Sequence, residues 1–333
     1  MVIGCDSGYV FNVTIDPVNV TIDPVKWAFK YRLISQHELH EGSAVKIVKT
    51  GKNFVQDQVI SGEVDGTIRV WSLKDHSLNM KLFEEDSKSE KAHNGHVNSI
   101  CFSKDVEIGP GIKTDVIVSV SSDKLIKIWN YGTTITIDNK KIKKGELIQS
   151  LGETKDGGHT DIITSVDISY DNERHCHIIV TCSHDSSIKI WNVPDKKFKF
   201  ELLSSFKDPR NPTEKFNSVA LSKPNDKTPD GLISPGQLIV SGSSCSGYGY
   251  VKLWDTHGDV IHTYIGQNRD EILPASHNNA VLSVAFSPDC SKVASSGSDF
   301  KVKCWSISEH PAIKDYLKNM QKNKRSYPSP SPI

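Results

Sequence analysis

Short runs of alternating apolar and polar residues, separated by turn-forming residues, occupy most of this chain. The stretch from His277 to Trp305 shows the pattern best. Val281, Val284 and Phe286 mark one run, Val293 a second, and Val302 with Cys304 a third, with Ser-Pro-Asp and Gly-Ser-Asp between them. A period of two bounded by such residues predicts strand, turn, strand, turn, strand. The same spacing returns from His159 to Trp191, through Ile163, Val166, Ile168, Thr181, Asp185 and Ile188. It returns again from His93 to Trp129, through Val97, Ile100, Phe102, Ser119, Asp123 and Ile126, once an insertion after Ser103 is allowed. A fourth copy ends in Ser61, Asp65, Ile68 and Trp71, with His40 one residue out of step, and a fifth ends at Trp254. Units repeated in this way bury their apolar faces against their neighbours.

These residues resemble the WD40 family, whose repeats form the four-stranded antiparallel blades of a β-propeller. The resemblance implies an all-β fold of six or seven blades, the first incomplete in this chain. It also implies one hydrogen-bonded set per blade, made of a Trp on the third strand, a Ser or Thr on the second, an Asp in the turn and a His before the first. By position the sets are His93, Ser119, Asp123 and Trp129; His159, Thr181, Asp185 and Trp191; and His277, Ser295, Asp299 and Trp305. Ser61, Asp65 and Trp71 make an incomplete fourth. A buried indole N–H, hydroxyl and imidazole each need a partner, and Asp accepts from the His and from turn amides. A His, Ser, Asp group also suggests a hydrolase triad, but its recurrence beside a Trp in successive repeats marks a packing device.

Taken in order, residues 1–36 read as a partial blade, with strands around Val2 and through Tyr9 and Phe11. The tandem Asn-Val-Thr-Ile-Asp-Pro-Val of residues 12–25 reads as an extended loop broken by Pro17 and Pro24, and Lys26 to Ser35 as an outer strand. Further blades are expected at about 40–82, 93–151, 159–203, 212–265 and 277–310. The third carries insertions at Lys104–Thr114 and Tyr131–Lys144. The fifth departs from the pattern: Pro212 stands at the His position, and Ser243 to Tyr250 reads as an expanded turn without the Asp. The resemblance implies that such a loop shares a face with the connectors 207–215 and 266–276, grouping Tyr248 and Tyr250 with Arg210, Arg269 and Asp270 as a candidate partner-binding surface. Beyond Trp305, Ile313, Tyr316, Leu317 and Met320 form an apolar helical stripe suited to docking on the last blade or on a partner, and residues 322–333 form a basic Pro/Ser-rich tail.

Composition narrows the function classes. The chain has 333 residues with 40 basic and 40 acidic side chains, so net charge gives no global attraction to nucleic acid or membrane. Seven cysteines, with Cys101, Cys182 and Cys304 in strands where a small buried thiol is ordinary, point to a reducing intracellular setting, cytoplasmic or nuclear. His175, Cys176 and His177 invite a metal reading, but adjacent side chains on extended backbone face opposite ways, and no second ligand pair follows. No catalytic motif, cofactor site or small-molecule site stands out. The resemblance implies a scaffold that presents loops and blade edges to other proteins within a multiprotein complex. The alternative is a binder of RNA or chromatin using Lys140, Lys141, Lys143 and Lys144 with the basic tail.

Overall fold

The computed structural model describes residues 2–4, 9–15, 22–23, 26–27, 31–38, 45–49, 58–72, 77–83, 91–152, 157–172, 174–192, 199–223, 238–266, 275–307, 311, 313–316 and 319. Before residue 58 only the backbone is described. The chain forms two compact units, one of residues 1–104 and 114–150, the other of 105–113 and 151–333. Both are built from antiparallel sheets, nearly all of strands consecutive in sequence.

The first unit opens with β1 (Val2–Gly4), β2 (Tyr9–Ile15), β3 (Ile22–Asp23), β4 (Lys26–Trp27) and β5 (Tyr31–Glu38). β1, β2 and β5 form a three-stranded sheet, while β3 and β4 pair with each other. This corrects the expected loop and outer strand. β2 runs through the first copy of the duplication to Ile15, because Thr14 and Ile15 are β-branched and Pro17 is the first residue without an N–H. The second copy supplies β3, and the outer strand begins only at Tyr31.

β6 (Val45–Lys49), β7 (Gln58–Glu63), β8 (Ile68–Ser72) and β9 (Leu78–Leu82) make the next sheet. β10 (Val97–Gly109), β11 (Ile112–Ser121), β12 (Ile126–Asn130) and, after the hairpin of β13 (Ile135–Ile137) and β14 (Lys140–Ile142), β15 (Leu147–Leu151) make another. Both insertions contain paired strands. The first lengthens the β10–β11 hairpin, and the second folds on itself with Asp138 and Asn139 at φ of 48° and 66° in its turn. Ile60, Ile68, Val70 and Leu82 pack against Ala92, Val97, Ile100, Ile117 and Trp129, so one face of a sheet covers the opposite face of the next.

The second unit continues the plan. β16 (Ile163–Asp171), β17 (Cys176–Ser183), β18 (Ile188–Asn192) and β19 (Glu201–Phe206) form one sheet; β20 (Lys215–Leu221), β21 (Leu238–Cys245), β22 (Tyr248–Asp255) and β23 (Val260–Tyr264) form the next. β24 (Val281–Phe286), β25 (Lys292–Gly297) and β26 (Val302–Ser306) form a sheet of three. Val180, Ile188 and Ile190 pack on Phe216, Val219, Ile239 and Trp254, and Val240, Val251 and Leu253 pack in turn on Val281, Val284 and Val293. Helical residues 313–316 return to this unit, where Ile313 is fully buried in the same cluster and the Tyr316 hydroxyl meets Asp255 at 3.1 Å. Leu317 and Met320 lie outside the described residues. Cys304, expected to be buried like Cys101 and Cys182, is exposed. The face of β24–β26 that carries it is the one the next sheet would cover in the preceding blades.

Candidate functional site

Three sheets hold the same polar device. His93 Nδ1 lies 2.9 Å from Asp123, its Nε2 lies 2.8 Å from Ser119 Oγ, and the Trp129 indole donates to that hydroxyl at 2.9 Å. His159 repeats this with Asp185 at 2.9 Å, Thr181 at 2.9 Å and Trp191 at 3.0 Å from Thr181. His277 does so with Asp299 at 2.9 Å, Ser295 at 2.8 Å and Trp305 at 2.9 Å from Ser295. In the β6–β9 sheet Trp71 donates to Ser61 at 3.1 Å and Asp65 accepts from Thr67, while His40 lies outside the described residues.

One proton assignment satisfies the chain of bonds. The indole N–H donates to the hydroxyl, the hydroxyl donates to Nε2, and Nδ1–H donates to the carboxylate. Burial pushes the His159 imidazole down against the pull of Asp185, which agrees with a neutral ring. Burial pushes the Asp123 carboxyl up, but the His93 bond and charge and the amides of Leu125 and Asn94 outweigh it and hold it below the usual range. The serine or threonine oxygen, fully enclosed, is taken by the ring and the indole. A hydroxyl so placed orients a strand pair and has no approach for a carbonyl carbon.

The β20–β23 sheet keeps the indole bond, Trp254 to Ser241 at 2.8 Å, but replaces the rest. Pro212, four residues before Phe216 as His159 is before Ile163, has no side-chain polar group to offer, and Glu214 bonds a different hydroxyl, that of Ser243. Lys252, at 1% exposure, reaches Asp208 at 2.6 Å and also bonds Glu214, both carboxylates being buried as well. This sheet thus holds a buried lysine between two buried carboxylates.

The turn expected to be expanded is tight. β21 and β22 pair without a break from Leu238↔Asp255 to Cys245↔Tyr248. Ser246 and Gly247 alone turn the chain, at φ of 50° and 86°, the two positive values that a primed hairpin turn requires. Gly249 then lies so close to the next segment that a Cβ would stand 2.2 Å from the Asn279 carbonyl oxygen, and its N–H donates to His277 at 3.0 Å. The lengthened hairpin is thereby tied to the β24–β26 sheet.

Of the candidate binding residues, Tyr248 and Tyr250 are half-buried on β22 and Arg210 is exposed. Arg210 lies 3.5 Å from Asp208, and the Lys252 ammonium stands 5.4 Å from the Tyr250 ring, so the buried charges connect Arg210 with Tyr250. Burial, with the charges of Cys245, Glu214 and Tyr248, raises the Tyr250 hydroxyl, which stays protonated. Arg269 and Asp270 lie outside the described residues. Lys252, Asp208 and Glu214 went unnoticed in the sequence, although one signal was there: a basic residue stands two before the Trp in every repeat, as Arg69, Lys127, Lys189, Lys252 and Lys303.

The other candidates separate. His177 lies edge-on to Tyr170, 5.3 Å between centroids, and His175 occupies a turn at φ 51°. No group of three or more His, Cys, Asp or Glu among the described residues is arranged to hold a metal ion. Burial pushes the His177 imidazole down to about 4; Asp105 opposes this, and Lys113 and Lys223 add to it. Between the ordinary 6.5 and about 4 the unfolded chain therefore binds a proton that the folded chain refuses. Stability should be full above 6.5 and fall on acidification through this window, and His177→Gln should flatten the slope of the urea midpoint against pH there. An unchanged slope would assign the acid loss to other groups. In the lysine run, Lys143 pairs with Glu146 at 3.6 Å and Lys144 covers Tyr131 at 4.3 Å. Lys140 and Lys141 are neighbours on a strand and face opposite ways.

The WD domain, G-beta repeat model matches residues 86–130, 145–192 and 271–306. The chain is 21% identical to the nuclear distribution protein PAC1 of Arthroderma otae, over 80% of this chain and 53% of that protein. It is 25% identical to autophagy-related protein 16 of Arabidopsis thaliana, over 80% and 49%, and 26% identical to the ribosome biogenesis protein WDR12 homolog of Trichoplax adhaerens, over 84% and 56%. The chain thus spans about half the length of these relatives. Among solved structures, the computationally designed Ika8 protein aligns over 92% of this chain and 68% of its own at 20% identity and a TM-score of 0.53, a likeness of fold alone. With the matched repeats, the antiparallel four-stranded blades and the recurring polar sets together, the chain is a member of the WD40 repeat family.

Proposed function

We propose that this chain is a non-catalytic scaffold that binds other proteins as a subunit of an intracellular multiprotein complex, cytoplasmic or nuclear, without cofactor, metal or small-molecule substrate. The observation that carries this reading is the contrast between the sheets. The recurring His, Asp and Ser or Thr groups are enclosed and saturated, whereas β20–β23 keeps only the Trp–Ser bond of that device and has Tyr250 beside a buried lysine whose partner Asp208 also pairs with the exposed Arg210. Tyr on a paired hairpin, with Arg in the connector before β20, supplies large contact area at low entropic cost, as interface anchors do. The relatives' names refer to nuclear distribution, autophagy and ribosome biogenesis, three unrelated settings, which suits a fold that serves through its contacts.

Purification of the tagged chain from its native cells, first at low and then at high salt and with nuclease treatment, tests the class of partner. A defined set of proteins that survives high salt and nuclease is expected. Nucleic acid that leaves steeply as salt rises would replace this reading with the RNA or chromatin alternative, since neutralised phosphates release counterions.

A further inference from the structure

The connector of residues 207–215 turns its acids inward and its bases outward. The Asn211 N–H donates to the Asp208 carbonyl at 3.1 Å and the Glu214 N–H to the Asn211 carbonyl at 3.1 Å, so the segment is two consecutive β-turns. Each turn has Asp or Asn at its first position and Pro209 or Pro212 at its second, residues that pre-set this backbone. Both acids, Asp208 and Glu214, are buried against Lys252. In the neighbouring sheets the equivalent lysine bonds neutral oxygens: Lys189 reaches the Gly157 carbonyl at 2.9 Å, and Lys303 the Ser276 carbonyl at 2.5 Å. What this connector shows to solvent is therefore cationic, since Lys207, Arg210 and Lys215 are exposed and neither acid is. Arg210 is also held in place. Its N–H donates to Asp208 Oδ1 at 2.8 Å and its Nε lies 3.5 Å from the same oxygen, while Lys252 takes Oδ2 at 2.6 Å. The terminal nitrogens of Arg210 meet no partner among the described residues, and the side chain is 69% exposed.

We propose that this connector binds an acidic segment of a partner protein, whose clustered Asp or Glu side chains meet the Arg210 guanidinium with Lys207 and Lys215 close by in the chain. The inference rests on the scaffold reading and names the chemistry of the partner. A guanidinium presents paired N–H donors that match the two oxygens of a carboxylate. Because the two turns and the Asp208 contacts already fix the loop, little ordering is required on binding. Lys207, tied to the Asp185 carbonyl at 2.9 Å, and Lys215, at the start of β20, add charge that steers the encounter and selects against basic partners. An apolar residue next to the carboxylates finds the Tyr250 ring, which lies 5.4 Å from the same Lys252 that holds Asp208. A nucleic-acid strand would need exposed aromatic faces on which to stack its bases, and Tyr248 and Tyr250 are half-buried.

A fluorescein-labelled peptide, Asp-Glu-Leu-Glu-Asp-Phe, titrated into the full chain by fluorescence anisotropy tests this, beside its amide counterpart Asn-Gln-Leu-Gln-Asn-Phe and a labelled oligouridylate. Saturable binding of the acidic peptide alone is expected. Arg210→Gln should weaken it by about tenfold, a loss of about 1.4 kcal/mol, at an unchanged melting temperature, and Arg210→Lys should recover only part of that loss. Lys292→Gln, which removes an exposed cation from β25 instead, should bind as the wild type does. Equal binding by Arg210→Gln or of the amide peptide, or an equal loss in Lys292→Gln, would overturn the proposal. Tighter binding of the oligouridylate that Arg210→Gln abolishes would assign the connector to nucleic acid instead. If the peptide fails while the salt-resistant proteins are still recovered from native cells, the acidic partner is refuted and the scaffold reading stands.

Discussion

Replacing Lys252 by alanine is expected to lower folding stability at pH 7 by about 3–5 kcal/mol, the cost of leaving a buried charge without its partner. The substitution leaves Asp208 and Glu214, both buried, facing one another with no cation between them. Burial pushes the Asp208 carboxyl up, and its bonds with Lys252 and the Arg210 amide, with the charges of both residues, hold it below the usual range. That balance reverses when the lysine goes. The deficit of Lys252→Ala should therefore shrink as pH falls and the stranded Asp208 protonates, whereas loss of packing alone would be independent of pH. The triple variant Lys252→Met, Asp208→Asn, Glu214→Gln should recover most of the stability, because a neutral set of similar volume avoids the desolvation penalty. Urea denaturation of the variants at pH 7 and pH 5 checks all three expectations; a deficit below about 1 kcal/mol would place these charges in water.

Thr181→Val is the second large effect. Valine copies the shape of threonine and deletes the one oxygen shared by His159 and Trp191, at 2.9 Å and 3.0 Å. Both partners are buried, so the change strands two polar groups, each worth about 1–3 kcal/mol. A loss of about 2–4 kcal/mol is expected by urea denaturation, with little change in the far-ultraviolet dichroism spectrum. Thr181→Ser, which keeps the oxygen, should cost about 1 kcal/mol, near the value of one deleted methylene. Equal losses for the two variants would mean that packing and not the hydroxyl supports the sheet.

What the chain revealed in advance follows the range of each interaction. The period of two and the Asp turns are local signals, so the sheets built on them were legible, down to the residues that meet in the His93, His159 and His277 sets. The Lys252 cluster was not, because Asp208 and Glu214 lie 44 and 38 residues from their cation, and no spacing rule joins them. The Ser246–Gly247 turn was within reach: Ser-Gly between alternating runs is a hairpin signal, masked by the expectation of an Asp. Cys304 went astray for a different reason. Its alternation assigns it to a face, but only the presence of a next sheet decides whether that face is covered.

The measurement that reaches the central proposal most directly is quantitative mass spectrometry of the proteins retained at high salt by the wild-type chain and by an Arg210→Ala, Tyr248→Ala variant from the same cells, with equal melting temperatures confirmed first. The scaffold reading, with its contact surface at the β21–β22 hairpin and the connector that carries Arg210, requires a defined set of proteins to be lost together from the variant. Retention of the full set by a folded variant would contradict it.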